Sequence, residues 1–362
     1  VHVLHVESGA NLYGGALQVL YLLKGLDKLG VRNTLFCPSG SAIAEASREF
    51  CTEIIAKPIA GELDPRFALE LFKAARRLKP DIIHAHSRRG ADIWSGVTAR
   101  LLGIKAVVTR RVDNPERPLA ASLKYAMYHK IITISEGIRR VMLEAGLEPE
   151  KIICVRSAIE PERYNFSHDR NWLNRTFGLD ENAIPIGTIA QLIERKGHKA
   201  LLKAAPDVLK AFPSVRFLFF GKGRLQTELE QLVATLGLED KVVFAGFRND
   251  LSRILPCLYM VVHPAMIEGL GVSLIEASLA GVPVIASDAG GMPEIVRHGQ
   301  TGLLVPPGNS QELAKAIKLL ISTPSMAKQM GEHAKKLALE EFNTEKMVGG
   351  NLSVYNQLLI FS

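Results

Sequence analysis

Residues 258–287, LYMVVHPAMIEGLGVSLIEASLAGVPVIAS, contain the unit from which the whole chain is built. LYMVVHP is a short apolar run, and VPVIAS (282–287) is another. Between them, apolar residues recur at helical spacing from about residue 271 to 280. Apolar strand, helix and apolar strand in succession predict a parallel sheet with helices packed on it. Gly269 and Gly271 flank Leu270 where the first strand hands over to the helix.

The same alternation extends in both directions. Upstream lie strands at VHVLHV (1–6), VRNTLFC (31–37), DIIHAH (81–86), KAVVTRR (105–111), KIITIS (130–135) and KIICVR (151–156). Helical patterns at 16–30, 68–79 and 91–102 separate them, and Ser135 is placed to cap the helix that follows it. The pattern restarts with AIPIGTIAQ (183–191), VRFLFFG (215–221) and KVVFAG (241–246). Three helical stretches near 309–321, 324–341 and 344–359 end the chain. This reading gives an α/β fold of two doubly wound, Rossmann-like domains facing across a cleft. They join at the polar segment EPERYNFSHDRN (160–171), with the first covering 1–165 and the second 166–343.

Composition agrees. A chain of 362 residues with 47% hydrophobic and 22% charged residues has the size for about two ordinary globular domains. No apolar run reaches the length of a membrane span. The start, VHVLHVESG, reads as strand and loop rather than leader, and the missing Met predicts a few residues upstream. Cys37, Cys51, Cys154 and Cys257 are scattered, which argues against zinc and disulfide frameworks and predicts a cytoplasmic location. Residues 1–165 hold 24 Lys+Arg against 18 Asp+Glu, and residues 166–362 hold 20 against 19. The excess in the first half includes the pairs Arg76-Arg77, Arg88-Arg89, Arg110-Arg111 and Arg139-Arg140. Solvated surface charge explains this simply; an anionic partner is the sharper expectation. Few aromatics and no RNA-binding signature argue against nucleic acid.

Open α/β sheets bind ligands at the carboxyl ends of their strands. Three loops there carry chemistry. ESGANLYGG (7–15) ends in Gly14-Gly15 and opens a helix whose amides suit a phosphate; a tight turn needs the same residues. QLIERKGHKA (191–200) places Arg195 and Lys196 at a helix start, where an anion would offset their conflict with the dipole. In the quoted stretch, Glu268 stands before the helix and Glu276 within it. Eight helical residues rise about 12 Å, comparable to the reach from ribose to sugar in a nucleotide sugar. A carboxylate readily accepts from two vicinal hydroxyls. His84 and His86 share a strand face suited to a metal, but no third ligand is spaced to match. His263 is expected to line the cleft. No DxD, GxSxG, GxxxxGK[ST] or HExxH motif occurs.

The stretch EGLGVSLIEASLAGVPVIASDAGGMPEIVRHGQTGLLVPPGN (268–309) resembles the signature of glycosyltransferase family 4, including its E-x7-E pattern. The Gly-Gly loop, HAHS, ITISE, ERKG, FGKG, VVFAGF and the final helix extend the resemblance over nearly the whole chain. It implies retaining, metal-independent enzymes of GT-B architecture that need no cofactor beyond a nucleotide-diphosphate sugar donor. The donor would be held mainly by the second domain, and residues 344–362 would return to the first. By position, Glu268 would face the donor sugar, Glu276 would bind the ribose hydroxyls, and Lys196 with Arg195 would neutralise the diphosphate. Gly15 would lie near the phosphates, and Gly269, Leu270, Gly271 and Val272 would line sugar and phosphates. Phe247 and Arg248 would meet the base. His86, Arg110 and Arg111 would lie on the acceptor side.

Three departures stand out. Gln191 replaces a common arginine, Thr109-Arg110-Arg111 replaces a strand-end histidine, and Ser157-Ala158 replaces an Asn-Gly. The expected activity is sugar transfer to an anionic, cell-envelope saccharide or lipid-linked acceptor, with peripheral membrane contact through the basic first domain. An epimerase or phosphorylase, or a non-catalytic sugar-nucleotide-binding protein on the same fold, is the alternative.

Overall fold

The computed structural model describes residues 1–360 apart from Tyr13, residues 59–63, Arg88, Arg89, Asn165 and Phe166. The pair Arg88-Arg89 and part of the 160–171 joint therefore lie outside the described residues. The chain divides into two units, Val1–Ala158 with Asn343–Ser362, and Ile159–Phe342. The break falls ahead of the polar joint for a local reason. Ala158 is tied to the first unit, its N–H and C=O both bonded at 2.8 Å to the Gln18 side chain. Ile159 instead donates its N–H to Phe342 O at 2.8 Å, within the second unit.

The first unit is a seven-stranded sheet of β1 (His2–Val6), β2 (Arg32–Pro38), β3 (Glu53–Lys57), β4 (Ile82–Ala85), β5 (Lys105–Arg110), β6 (Lys130–Thr133) and β7 (Ile152–Cys154). All its pairings are parallel and the order is β3-β2-β1-β4-β5-β6-β7. The second unit has six strands: β8 (Ile184–Ile189), β9 (Val215–Phe220), β10 (Val242–Gly246), β11 (Met260–His263), β12 (Val284–Ser287) and β13 (Gly302–Val305). Its order is β10-β9-β8-β11-β12-β13, again parallel throughout. In each sheet the winding reverses beside the first strand, between β1 and β4 and between β8 and β11. Loops leave those neighbours in opposite directions and open a crevice at their carboxyl ends.

β3 and β13 are corrections to the sequence reading, which missed both. Each is an edge strand. β3 has only the short run Ile54–Ala56 between Glu53 and Lys57, and of its five residues Ile55 alone is buried. β13 is four residues between Gly302 and the Pro306-Pro307 turn. The central strands are buried along their length, as at His2–Val6 and Val284–Ser287. Helices complete each core. Thr344–Ile360 belongs to the first unit and joins Tyr21, Leu22 and Leu26 of the helix Gly15–Lys28 in one cluster through Met347, Val348 and Tyr355. Ser135 caps the helix Glu136–Glu144, accepting from Ile138 N–H at 3.1 Å. Among the described residues no helix is long and apolar enough to cross a membrane.

Candidate active site

In the second unit the chain leaves β8, runs through residues 190–193 and forms the tight turn Glu194–Lys196. Gly197 ends that turn with φ +73°, and a Cβ there would lie 1.8 Å from Pro264 O. Only glycine fits, so the turn rests directly on the exit of β11. Met266 N–H donating to Arg195 O at 2.8 Å fastens the contact. This placement brings Lys196 to Glu268, although they lie far apart in sequence. The Lys196 ammonium pairs with Glu268 Oε2, and both side chains are largely buried. His263, at the end of β11, reaches the same oxygen through Nε2 at 3.0 Å. From the other side, Gly291 N–H donates to Glu268 O at 3.0 Å. Gly290 sits at φ +56°, where a Cβ would come within 2.0 Å of that carbonyl.

Burial alone would push the Glu268 carboxyl up. The His263 hydrogen bond and the Lys196 charge outweigh it and hold the group well below the usual carboxylate range. Burial pulls His263 down, only partly offset by its bond to Glu268, so the imidazole is neutral. Facing an ionised carboxylate, its Nε2 must carry the hydrogen, which leaves a bare Nδ1. That atom is buried without a partner among the described residues.

Past Glu268, Gly269 and Leu270 are buried, and Gly271 turns at φ +97° into the helix Val272–Leu279. Leu274, Ile275, Ala277 and Ser278 anchor that helix in the core. No side chain caps it and no acid occupies its first turn. Its leading amides thus form a positive end beside Lys196 and Arg195, suited to a phosphate. Among the described residues Arg195 donates only to Ile267 O, at 3.3 Å. Glu276 is half-buried on this helix, and Tyr164 O–H donates to its Oε1 at 2.5 Å. Sequence reasoning missed Tyr164, which lies in the stretch read as a joint. Phe247 is 60% exposed. Arg248 is held in a two-pronged pair with Asp250, at 2.8 and 2.5 Å, above the Phe177 ring.

The first unit carries a cavity of about 380 Å³ at its own β1–β4 crevice, lined by Glu7, Gly15, His86, Ser87, Thr109 and Arg111 among others. Gly15 stands against Arg111, whose Cδ would lie 3.1 Å from a Cβ at that position. Burial draws the Arg111 guanidinium down to about 10, with Glu7 opposing the shift. Among the described residues its one hydrogen bond is a long one, from Nε to His86 O at 3.4 Å.

Two expectations need correction here. Arg110 is not at this cavity. Its side chain, 4% exposed, bonds to Glu116, Asn114 O, Tyr125 Oη and Val112 O. Neighbouring strand residues point to opposite faces, so Arg111 alone lines the cavity. The second concerns the histidines. No spacing in the sequence supplied a third ligand for His84 and His86, but β1 pairs with β4 in a register that sets His5 opposite His84. The three rings offer nitrogens within 4.8 Å of one another. They are engaged with other partners, however. His84 bonds Tyr355 Oη at 2.6 Å and Thr109 Oγ1 at 2.7 Å, and His5 bonds Asn33 Oδ1 at 3.2 Å and His86 Nε2 at 2.9 Å. A cation would have to displace these bonds.

Two family models match, glycosyltransferase family 4 over residues 13–163 and glycosyl transferases group 1 over residues 170–337. The chain is 27% identical to the 2-deoxystreptamine glucosyltransferase of Streptomyces kanamyceticus, over 95% of this chain and 98% of that one. It is 21% identical to the Escherichia coli UDP-Gal:alpha-D-GlcNAc-diphosphoundecaprenol alpha-1,3-galactosyltransferase, over 95% and 96%. The crystal structure of Anabaena HepE with UDP and glucose superposes with a TM-score of 0.85 at 22% identity, covering 98% of this chain and 99% of that one. One family model falls mainly on each parallel-sheet unit, and the chain belongs to the GT-B glycosyltransferases, family 4 in its first part and group 1 in its second.

Proposed function

We propose that the enzyme transfers a sugar from a nucleotide-diphosphate sugar to an acceptor, with retention at the anomeric carbon and without a metal ion. The observation that carries this reading is the buried Lys196–Glu268–His263 cluster beside the uncapped start of the helix Val272–Leu279. When the bond from anomeric carbon to phosphate oxygen breaks, the electron pair goes to the diphosphate. Lys196, Arg195 and the helix amides meet that charge where it develops. The backbone from Gly269 to Val272 approaches sugar and phosphates. Glu268 faces the sugar as positive charge grows on its ring; the acceptor oxygen bonds to the anomeric carbon and its proton leaves on the departing phosphate. Glu276 takes the ribose hydroxyls and Phe247 offers a ring face to the base, with Arg248 locked beside it. Raised melting temperature with one of the UDP-, GDP-, ADP- or TDP-sugars, and none with free sugars, is the test of donor class. HepE with bound UDP and the relatives' names support a nucleotide sugar.

The acceptor in this reading is an anionic cell-envelope saccharide or lipid-linked glycan, met by the basic first unit at the cytoplasmic face of a membrane. The Escherichia coli relative, named for a diphosphoundecaprenol acceptor, supports this. Arg111 suits a phosphate because its planar fork donates two hydrogen bonds at once.

Two outcomes follow. Glu276→Gln should weaken nucleoside diphosphate binding by roughly 1.5–3 kcal/mol, the scale of hydrogen bonds to charged groups. Calorimetry giving the wild-type affinity would remove Glu276 from the ribose. Activity should survive EDTA, because protein cations neutralise the diphosphate and no two aspartates are spaced as a DxD pair. Loss on chelation, restored by Mn²⁺ or Mg²⁺, would contradict metal independence.

A further inference from the structure

The hydrogen bonds around His86 fix where its proton sits. Asn33 Nδ2 donates both its hydrogens to backbone carbonyls, Leu23 O at 3.2 Å and Phe50 O at 3.1 Å. Its Oδ1 therefore faces His5 Nε2, at 3.2 Å, and that nitrogen must carry a hydrogen. Burial lowers His5 to about 3, so the ring is neutral and its Nδ1 is bare. His86 Nε2 lies 2.9 Å from that lone pair and must in turn donate. Burial, with His84, His5 and Arg111 adding to it, also lowers His86 well below the ordinary histidine value. Its Nδ1 is consequently a lone-pair acceptor, and it is buried with no partner among the described residues.

Glu7 presents a second such atom. Its Oε1 accepts from Gly9 N–H at 2.7 Å, while Oε2 is buried without a partner among the described residues. Both residues line the cavity that Arg111 also lines. Buried acceptors left unpaired are costly, and native proteins rarely keep them without a ligand or ordered water. Ligand groups carrying polar hydrogens would satisfy two acceptors, and an anion would satisfy the guanidinium fork. The cavity volume lies within the range of small-molecule sites.

We propose that the Asn33–His5–His86 chain holds His86 Nδ1 unprotonated as a positioning acceptor in this cavity. With Glu7 it selects a sugar-like ring that presents two polar hydrogens beside an anionic substituent held by Arg111. The inference rests on the cavity being the acceptor side of the transfer. His86 orients a hydroxyl or amine of the acceptor; it takes no proton.

The experiment uses the full chain with ¹⁵N-labelled histidine, titrated separately with glucose 6-phosphate, glucosamine 6-phosphate, inorganic phosphate, zinc and UDP. Long-range ¹H–¹⁵N spectra at neutral pH should show His86 as the Nε2–H tautomer with a bare Nδ1. At least one sugar phosphate should move the Nδ1 resonance and bind about tenfold more tightly than phosphate alone, the worth of one good buried hydrogen bond. His86→Phe should abolish that preference and keep phosphate binding. Asn33→Asp should raise His5 and invert the His86 tautomer. If that variant does not fold, the wild-type spectrum still decides the tautomer. An Nδ1–H or doubly protonated His86, sugar phosphates that leave it unmoved, or phosphate binding as tightly as they do would overturn the proposal. Zinc moving all three histidines together would assign the cluster to a metal instead. UDP reports on the second unit: if it fails to bind, the glycosyl-transfer reading fails, whatever His86 does.

Discussion

Glu268→Ala is expected to lower turnover by about 10²–10⁴-fold, the effect of a positioned carboxylate or general acid–base group, while nucleotide affinity stays unchanged or tightens. Glu268 is the shared partner of Lys196 and His263. Deleting it leaves the Lys196 charge wholly available to the diphosphate, so donor binding does not suffer. What is lost is negative charge near the sugar as the anomeric carbon becomes positive. Glu268→Gln separates charge from shape: it retains an oxygen for His263 Nε2–H and should fall nearly as far in rate. The pH dependence follows from the depressed carboxyl. A group whose folded pKa lies below its unfolded value contributes stability that is complete above the unfolded value, about 4.3, and is lost as pH falls toward the folded one. Glu268 is thus ionised throughout the neutral range, and a rate profile should show no limb from it there. The measurements are kcat by nucleoside diphosphate release, affinity by calorimetry and a melting curve as a control for folding. Turnover near wild type in a folded Glu268→Ala would remove this residue from the mechanism.

The sequence made the repeat of buried strand and helix legible because the central strands carry short runs of apolar residues between helical patterns. It also placed Lys196 and Glu268, which the structure pairs, on the loops after β8 and β11, and Glu276 on the helix that follows. What stayed hidden depends on pairing between distant segments. His5 joins His84 and His86 only through the β1–β4 register, and no spacing within one strand reveals that. Tyr164 finds Glu276 across more than a hundred residues. The edge strands β3 and β13 offer only the short runs Ile54–Ala56 and Leu303–Val305, the first bounded by Glu53 and Lys57 and the second by Gly302 and Pro306. Ala158 sits with the first unit because of two hydrogen bonds to Gln18, which composition cannot show. The Arg110-Arg111 pair was readable as a cation pair at a strand end, but not as one structural and one cavity-facing residue.

That division of labour gives the second large expectation. Arg110→Ala should destabilise the protein by roughly 3–5 kcal/mol, the cost of breaking a buried ion pair by removing one partner, and should leave donor affinity intact in whatever fraction remains folded. The guanidinium satisfies the Glu116 carboxylate, two backbone carbonyls and Tyr125 Oη at once. Glu116 also accepts from Lys124 at 2.8 Å, and Lys124 pairs with Asp92 at 3.1 Å. Burial would push Glu116 up, but Lys124 and Arg110 overcome it and hold the carboxyl down, so the network persists at neutral pH and loosens as pH falls below the carboxylate range. Without Arg110 those part-buried carbonyls lose a donor and the Glu116 carboxylate loses one of its two cations. Arg110→Lys should recover little, since an ammonium cannot reproduce the planar fork that reaches four oxygens together. The double variant Arg110→Met with Glu116→Gln removes both charges and should cost far less than Arg110→Ala alone, because neither ion is left unmatched. Arg111→Ala should behave in the opposite way, with a melting temperature close to wild type and weakened phosphate binding at the cavity. Chemical denaturation of the four variants decides the matter: if Arg110→Ala unfolds at the wild-type midpoint, the network contributes nothing to stability.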